Sequence, residues 1–462
     1  MVRLVIPTQA RSTRCDVDLK RANTARKRLI GSAAVLVLVS LAPASAAPLP
    51  SSNASPLVAQ AVSPKPAPGE RALAPGASPA ERGTAQVVEP PGRHTTEIRF
   101  GMTAPLSGPS KDAGRRLSMG VQAAFEVENE AGGVHGRKLK LVTSDDGYEP
   151  SRTLDAVKRL RDKDGVLGMV ASYGTPTASA ALPYALEQRM LFFGAFTGAN
   201  ILRSTPPDRY VFNYRPSYAE ETEATVRYLV QVRGLKPADI VVFAQDDAFG
   251  NDGYAGVVKA LRAIQKQYVE PPLRLNYKRN TVDVTGAVQA LRARKIPPRA
   301  VIMVAAYRPA AKFIEVTRPL FPNMIYTNVS FVGSSSLAEE LRLLGPRFSD
   351  GVIVTQVVPA VNGYSKAVLD FKDALGKYFP GEAPDYVSFE GYIAAKILTE
   401  GVKRAGPGAD VEKLVDALEG MNDFDLGLGT PLKFLPTEHQ ASHMIWGTQL
   451  DREGRYRAID LR

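Results

Sequence analysis

The chain has 462 residues, 44% hydrophobic and 23% charged, a composition typical of a soluble globular protein with room for two or three domains. Its net charge of +11 would fit a nucleic-acid-binding protein if the basic residues were concentrated on one face. Residues 1–46, however, carry eight lysines and arginines against two aspartates, and no basic stripe follows them. We therefore expect no nucleic-acid partner.

Residues 1–46 have the organisation of a secretion signal. A basic region at residues 26–28 is followed by the apolar run 29–41 and by the small residues Ala44 and Ala46, the pattern of a cleavable export signal. The apolar run is shorter than the ~20 residues that span a membrane, although an uncleaved membrane anchor is the alternative. We expect cleavage near Ala46 and a mature protein in the periplasm.

The single cysteine and the low-complexity segment that follows the signal both fit export. Cys15 precedes the apolar run, so cleavage would leave neither a thiol nor a disulfide, as an oxidising compartment allows. Residues 47–96 are rich in Pro, Ala, Ser and Gly and show no apolar period, so they cannot bury enough surface to offset the entropy of ordering. We predict a disordered spacer, with folded structure beginning near Glu97.

From Glu97 onward, strand patterns alternate with amphipathic helix patterns. Strands are predicted at residues 98–102, 138–143, 166–171, 211–214, 240–244, 300–304 and 324–327. Helical patterns lie at residues 117–125, 154–160, 178–186, 220–232, 253–267, 284–294 and 309–320. Such repeats predict an α/β fold of doubly wound parallel sheets covered on both faces by helices. Because about 365 residues exceed what one such sheet usually holds, we predict two lobes.

The stretch 166–186 is the most informative part of the chain. A buried strand ends at a loop containing Ser172, and Thr175 begins a helix. Unpaired backbone N–H groups and the helix dipole favour an anion at such a place. A second apolar run leads to Thr197, so the hydroxyls of Ser172 and Thr197 would add donors for a carboxylate. Taken alone, the local pattern favours the simpler interpretation that Ser172 and Thr175 only cap the helix.

Motifs for catalysis and for cofactors are incomplete or missing from the sequence. Around Ser172 only half of the Gly-x-Ser-x-Gly motif of hydrolases is present, and no glycine motif for nucleotides occurs. His439 and His443 could bind a metal, but no glutamate stands at the catalytic position of a zinc helix, which favours a structural role. Asp145 and Asp146 likewise favour a turn. We expect no catalysis, no metal and no cofactor.

Several short motifs occur in a set order along the chain. They are GMTAPLSG at 101–108, AGGVHG at 131–136, Asp145 with Asp146, Ser172 with Thr175, AFT at 195–197 and DAFG at 247–250. This series resembles the branched-chain amino-acid-binding (leucine/isoleucine/valine) type of periplasmic binding protein, the substrate-binding component of ABC importers, over residues 97–462. The resemblance implies a monomer that binds a small molecule and delivers it to an ABC permease complex in the inner membrane.

The resemblance also implies an architecture of two lobes joined by three crossover strands, with the ligand held in the cleft between them by hinge closure. One lobe would comprise residues 97–214 plus 358–434, and the other residues 215–357 plus 435–462. The crossovers would fall near residues 214–217, 355–359 and 433–437.

Residue by residue, the resemblance implies a set of ligand contacts. In the first lobe these are Ser172, Ala195, Thr197, Val170 and Ala171. In the second lobe they are Phe249, Tyr307 and Ser330. Phe249 stands where the family has a tyrosine, and Ser330 stands where the family has the acid that pairs with the ligand's ammonium. We therefore hypothesise a carboxylated ligand that lacks a free α-amine. Its candidate walls are Tyr173, Phe196, Phe249, Tyr307 and Phe331, although each of these aromatic residues fits the hydrophobic core equally well.

Other interpretations stay open at this point. The chain could be a ligand-sensing receptor subunit for a separate signalling partner, because this fold also serves receptors. A hydrolase with Ser172 as its nucleophile is a third interpretation. Arg215 and Arg308 could contact an anion, although structural or solvated arginines are the simpler interpretation.

Overall fold

The computed structural model describes residues 96–264 and 270–462, so the predicted secretion signal and nearly all of the predicted spacer lie outside it. The strands are β1 (Glu97–Ala104), β2 (Lys138–Asp145), β3 (Gly168–Val170), β4 (Leu191–Phe193), β5 (Val211–Phe212), β6 (Ile240–Gln245), β7 (Arg274–Tyr277), β8 (Ala300–Val304), β9 (Ile325–Asn328), β10 (Ile353–Gln356), β11 (Trp446–Leu450) and β12 (Tyr456–Ile459). The helices are α1 (Lys111–Glu130), α2 (Pro150–Asp162), α3 (Thr175–Glu187), α4 (Tyr218–Arg227), α5 (Ala248–Ile264), α6 (Thr285–Arg292), α7 (Tyr307–Thr317), α8 (Ser334–Leu344), α9 (Pro346–Ser349), α10 (Lys366–Tyr378), α11 (Tyr386–Ala405) and α12 (Val411–Glu419). No helix within the described ranges has the length and apolarity needed to cross a membrane.

The first sheet has five parallel strands in the order β2-β1-β3-β4-β5. Successive side chains of a strand point to opposite faces, and the neighbours Phe192 and Phe193 accordingly belong to different hydrophobic clusters. Phe193 packs in the cluster that includes α1 and α11, and Phe192 packs in the cluster that includes α2 and α3. The prediction of a parallel sheet with helices on both faces is confirmed for this lobe.

The second sheet has seven strands in the order β12-β11-β10-β9-β8-β6-β7. Strands β6 to β10 are parallel, whereas β11 and β12 form an antiparallel extension of β10. Strand β7 pairs only with β6 at the sheet edge and was not among the predicted strands. Only two of its four residues, Leu275 and Tyr277, are buried, so its apolar pattern is too short to stand out.

The polypeptide passes between the two lobes three times: after β5, after β10 and after α12. The first and third crossings run side by side, because the Asn213 N–H donates to the His439 carbonyl (2.7 Å) and the Ala441 N–H donates to the Asn213 carbonyl (2.9 Å). The segment that pairs with the first crossing therefore lies beyond residues 433–437. The boundary between the lobes within each crossing stays a prediction.

His439 and His443 do not share a helix face. His439 is buried, with Nδ1 2.8 Å from the Val211 carbonyl oxygen and its ring stacked on Phe212 at 3.9 Å. The His443 Nδ1 lies 2.6 Å from Glu220 Oε1 and ties the third crossing to the start of α4. Within the described ranges, no group of three or more His, Cys, Asp and Glu side chains is arranged to hold a metal ion.

Helices α1 and α11 approach each other closely at Gly120. A Cβ atom at this position would lie 1.8 Å from the Ser388 carbonyl oxygen, a distance that only a backbone shift could relieve. We predict that Gly120→Ala lowers the free energy of unfolding by at least about 2 kcal/mol, measured by urea titration. Gly376 in α10 is the matched control, because no heavy atom lies within 4 Å of its built Cβ. Gly376→Ala should raise stability by roughly 0.5–1 kcal/mol, and an equal response of both variants would contradict the prediction.

The His443–Glu220 contact predicts a pH-dependent stability. The hydrogen bond to Glu220 raises the pKa of His443 above its ordinary value of 6.5. A raised histidine pKa stabilises the folded state below the unfolded value, and the contribution is lost as pH rises through the folded pKa. His443→Gln should therefore cost stability at about pH 5.5, by less than about 1 kcal/mol because the side chain is half exposed, and almost nothing at about pH 8.5. Urea titrations of both proteins at the two pH values test this, and an equal difference at both would contradict it.

Candidate functional site

The carboxyl ends of β3 and β4 form one edge of the first lobe. The backbone beyond them stays paired: the Phe196 N–H donates to the Ser172 carbonyl (2.9 Å) and the Gly174 N–H donates to the Phe196 carbonyl (3.2 Å). These bonds bring the loop that starts α3 beside the loop that carries Thr197. Ligands of open α/β sheets bind outside this edge of the strands.

Hydroxyl groups collect at this edge. Thr175 Oγ lies 2.7 Å from Thr197 Oγ, and Thr197 Oγ donates to the Tyr218 hydroxyl at 3.3 Å. Ser172 Oγ is 3.5 Å from the Thr103 backbone nitrogen, a distance too long for more than a weak hydrogen bond. All four side chains are buried. We define the hydroxyl cluster as Ser172, Thr175, Thr197 and Tyr218.

The hydroxyl groups of Ser172 and Thr175 do not cap α3. The N-cap residue is Gly174, which has no side chain that could accept a hydrogen bond and has a φ of 100°. A Cβ atom there would lie 2.2 Å from the Tyr148 ring. Both the positive φ and the lack of space therefore require glycine. The interpretation of Ser172 and Thr175 as mere caps is therefore wrong. The first turn of α3 is left with N–H groups and a positive dipole end that favour an anion.

Two non-glycine residues beside the hydroxyl cluster have left-handed backbone. These are Ala171, with φ of 51°, and Tyr148, with φ of 61°. This conformation is uncommon for residues with a Cβ atom. Strained backbone of this kind concentrates at binding sites, where the surroundings hold it in place.

Aromatic rings from both lobes meet next to the hydroxyl cluster, since Tyr173 follows Ser172 and Phe196 precedes Thr197 in the chain. Phe331, in the short helical turn after β9, has its ring centre 4.9 Å from Tyr173 and 5.5 Å from Phe196 in the first lobe. On its own side it is 4.4 Å from Phe249. The Tyr148 ring lies 6.2 Å from Phe331 and completes the wall of the first lobe. We define the aromatic cluster as Tyr148, Tyr173, Phe196, Tyr218, Phe249 and Phe331.

Polar contacts across the cleft hold the lobes together around these rings. The Tyr307 hydroxyl donates to the Pro109 carbonyl (2.6 Å) and to Asp112 Oδ2 (2.9 Å). Burial and the Asp112 carboxylate raise the pKa of Tyr307. Gln245 Nε2 donates to the Tyr148 hydroxyl at 3.1 Å. These contacts can form only when the lobes are close, so they stabilise the closed arrangement.

Ser330 lies in a buried network of charges next to the aromatic cluster. Its N–H donates to Glu221 Oε2 (2.8 Å) and its hydroxyl to Glu221 Oε1 (3.0 Å). Arg215 Nη2 is 3.0 Å from Glu221 Oε1, and Arg215 Nη1 is 3.4 Å from Glu390 Oε1. Although burial opposes ionisation of Arg215, the carboxylates of Glu390 and Glu221 hold its pKa above the ordinary value. Burial raises the pKa of Glu390 to about 7.

Of the residues implied by the resemblance, most lie around the closed cleft. Tyr173, Phe196 and Phe249 belong to the aromatic cluster, whereas Tyr307 reaches across to the loop before α1. The side chains of Val170, Ala171 and Ala195 are packed in hydrophobic cores, so a ligand contact of these residues stays a prediction. Arg308 is near Asp112 and Glu340 at the rim, at 3.9 and 3.4 Å.

Four residues of this region were not predicted from the sequence: Tyr148, Tyr218, Glu221 and Glu390. Thr175 was predicted as a helix cap but not as a partner of Thr197. For Tyr148 a signal existed, because it follows the Asp-Asp-Gly turn at the carboxyl end of a predicted strand. For Glu390 no local signal exists, since it contacts Arg215 from 175 residues away in the sequence.

Comparison with known proteins identifies the family of this chain. Residues 97–455 match the family model described as Periplasmic binding protein. Leu/Ile/Val-binding protein BraC3 of Rhizobium johnstonii is 24% identical over 353 residues, covering 72% of this chain and 86% of that protein.

Two solved structures are similar as well. A possible leucine/isoleucine/valine-binding protein from Rhodopirellula baltica SH 1 shares 37% identity with a TM-score of 0.75, covering 79% of this chain and 97% of that one. The fatty acid ABC transporter substrate-binding protein from Thermomonospora curvata shares 20% identity with a TM-score of 0.71, covering 81% of this chain and 94% of that one. The two proteins therefore share a fold. The present chain therefore belongs to the periplasmic binding protein family.

Proposed function

We propose that this chain is an exported solute-binding protein that captures a small carboxylate-bearing ligand, amino-acid-like or a related organic acid, and delivers it to an ABC permease. It acts without catalysis and without a cofactor, as a monomer in the periplasm, after removal of the signal near Ala46. The observation that carries the proposal is the hydroxyl cluster at the uncapped start of α3, next to aromatic rings from both lobes.

The hydroxyl cluster suits a carboxylate for a physical reason. A carboxylate has about four lone pairs and prefers charge-assisted hydrogen bonds from hydroxyl and backbone N–H donors. Ser172 is the hydroxyl of the cluster with no strong partner within the protein. Each charge-assisted bond contributes about 1.5–3 kcal/mol, so Ser172 and Thr197 are expected to supply much of the affinity.

The aromatic cluster suits an apolar group on the same ligand. Tyr173 and Phe196 stack at 5.4 Å in the first lobe, and Phe331 meets them from the second. The relatives from Rhizobium johnstonii and Rhodopirellula baltica are named for leucine, isoleucine and valine. These molecules combine a carboxylate with an apolar side chain, and the hydroxyl and aromatic clusters are the surfaces that we propose for these two parts.

Closure of the cleft supplies the mechanism. A ligand shifts an open–closed equilibrium only through contacts that differ between the two states. The contacts of Phe331 with Tyr173, and of Tyr307 with Asp112, join residues of different lobes and are available only on closure. The closed form then presents a surface to the permease, as hinge-type receptors do.

Ser172→Ala tests the carboxylate contact. The test ligand is leucine or 4-methylpentanoate, whichever the wild type binds more tightly. We expect the affinity for this ligand to fall at least tenfold, about 1.4 kcal/mol, because one charge-assisted hydrogen bond is lost. Isothermal titration calorimetry measures this. Ser179→Ala on the same helix is the control, because its hydroxyl bonds only the Thr175 carbonyl (2.9 Å). Equal affinities of the two variants would remove Ser172 from the site.

Tyr307→Phe tests the closing contacts. The variant keeps the ring but loses the hydroxyl that donates to Pro109 and Asp112. We expect a weakening of ligand affinity by about five- to tenfold, near 1 kcal/mol, and a larger radius of gyration by small-angle X-ray scattering. Tyr364→Phe is the control, since that side chain is 85% exposed. An unchanged radius together with unchanged affinity would contradict the role given to Tyr307.

A further inference from the structure

Arg215 is a charged side chain buried at the edge of the candidate ligand site. It is 1% exposed, and its guanidinium carbon lies 5.1 Å from the ring centre of Phe196 and 5.9 Å from that of Tyr218. Phe196 precedes Thr197 in the chain, and the Tyr218 hydroxyl bonds Thr197. The positive charge of Arg215 therefore lies against Tyr218, which belongs to the hydroxyl cluster, and against Phe196, which adjoins Thr197.

The carboxylate of Glu221, which pairs with Arg215, already has several partners within the protein. Glu221 accepts hydrogen bonds from the Ser330 N–H, the Ser330 hydroxyl and the Thr355 hydroxyl, and it forms the ion pair with Arg215. An ionised carboxylate has about four acceptor positions. Glu221 consequently has none left for a cation on a ligand.

The second carboxylate, Glu390, is engaged from the opposite side. It pairs with Arg215 Nη1 and lines a narrow crevice with Phe196, Ser330 and Tyr386. Arg215 therefore stands between two carboxylates, and it is the cation that both of them face. An ammonium group entering beside Phe196 would find both carboxylates already paired with Arg215 and would be buried without a counter-ion of its own.

We propose that Arg215 supplies from within the protein the positive charge that the buried carboxylates require, so that the site selects monocarboxylates with an apolar tail and no α-amine. This inference rests on the proposed function, because it refines the ligand class of the same site. The hydroxyl cluster binds the carboxylate, the aromatic cluster contacts the tail, and Arg215 disfavours a ligand ammonium.

Matched ligand pairs test the proposal on the purified wild-type protein. Leucine is compared with 4-methylpentanoate, and phenylalanine with 3-phenylpropanoate, because each pair differs only in the α-amine. Calorimetric titration should show the amine-free member of at least one pair binding at least about tenfold more tightly. Equal or tighter binding of the amino acids would overturn the inference while leaving the proposed function intact. Binding of none of the four would overturn both.

A variant of Arg215 tests whether this residue, rather than contacts with the apolar tail of the ligand, sets the preference for amine-free ligands. Arg215→Met leaves Glu221 and Glu390 without their cation, so an ammonium becomes favourable, and the preference for the amine-free ligand should fall below about threefold. Arg233→Met is the control, because Arg233 is exposed and its guanidinium donates to the Tyr228 hydroxyl (3.3 Å), away from Glu221 and Glu390. An unchanged preference in Arg215→Met would overturn the inference.

Glu390→Gln provides a second variant if Arg215→Met does not fold. It removes one negative charge from beside Arg215 and keeps the shape of the side chain. The net charge near the site becomes more positive, so the preference for amine-free ligands should be kept or increase. A switch to preference for leucine or phenylalanine would overturn the proposal.

Discussion

Backbone pairing between Tyr173 and Phe196, at the carboxyl edge of the first sheet, is the constraint on which the candidate site depends. It continues the β3–β4 ladder by one bridge beyond the strands. Because of it, the start of α3 and the Thr197 loop lie side by side, and their hydroxyls reach each other. The left-handed backbone of Ala171 and the glycine at position 174 turn the chain sharply enough for this. Without the bridge, Ser172 and Thr197 would belong to two unrelated loops.

A second constraint is the balance of charge in the closed cleft. Two buried carboxylates and one buried guanidinium lie on the hinge side of the aromatic cluster, drawn from the first crossing, α4 and α11. Desolvated charges are tolerated only when each has partners. Arg215, Glu221 and Ser330 hydrogen-bond one another, although the buried Arg215 Nε has no partner within the described residues. Burial raises the pKa of Glu390 to about 7, and a carboxyl that is partly neutral costs less to bury. The residues that we propose to shape ligand choice thus also join the first crossing, α4 and α11.

The sequence alone predicted the parts of the fold that depend on local pattern. Apolar runs ending in hydroxyl or glycine residues indicated β3, α3 and the edge that carries Ser172, because strand and helix periods are local properties. The edge strand β7 was missed, since two buried residues carry too little signal. Phe331 was predicted as a wall residue only through the family resemblance, and the structure gives it contacts to both lobes.

What the sequence could not predict are contacts between distant segments. Arg215 and Glu390 are 175 residues apart, and Tyr307 and Asp112 are 195 apart. Nothing in the neighbourhood of any of these residues shows its partner. For this reason Arg215 could be interpreted as solvated, whereas it is among the largest fully buried side chains of the described part of the chain.

The most direct test of the account is a crystal structure of the protein with the tightest-binding carboxylate from the matched pairs. The account predicts carboxylate oxygens within about 2.6–3.2 Å of Ser172 Oγ and of the Thr197 hydroxyl or backbone, with the tail against Phe331. A ligand bound elsewhere, or one whose carboxylate points away from Ser172 and Thr197, would contradict it.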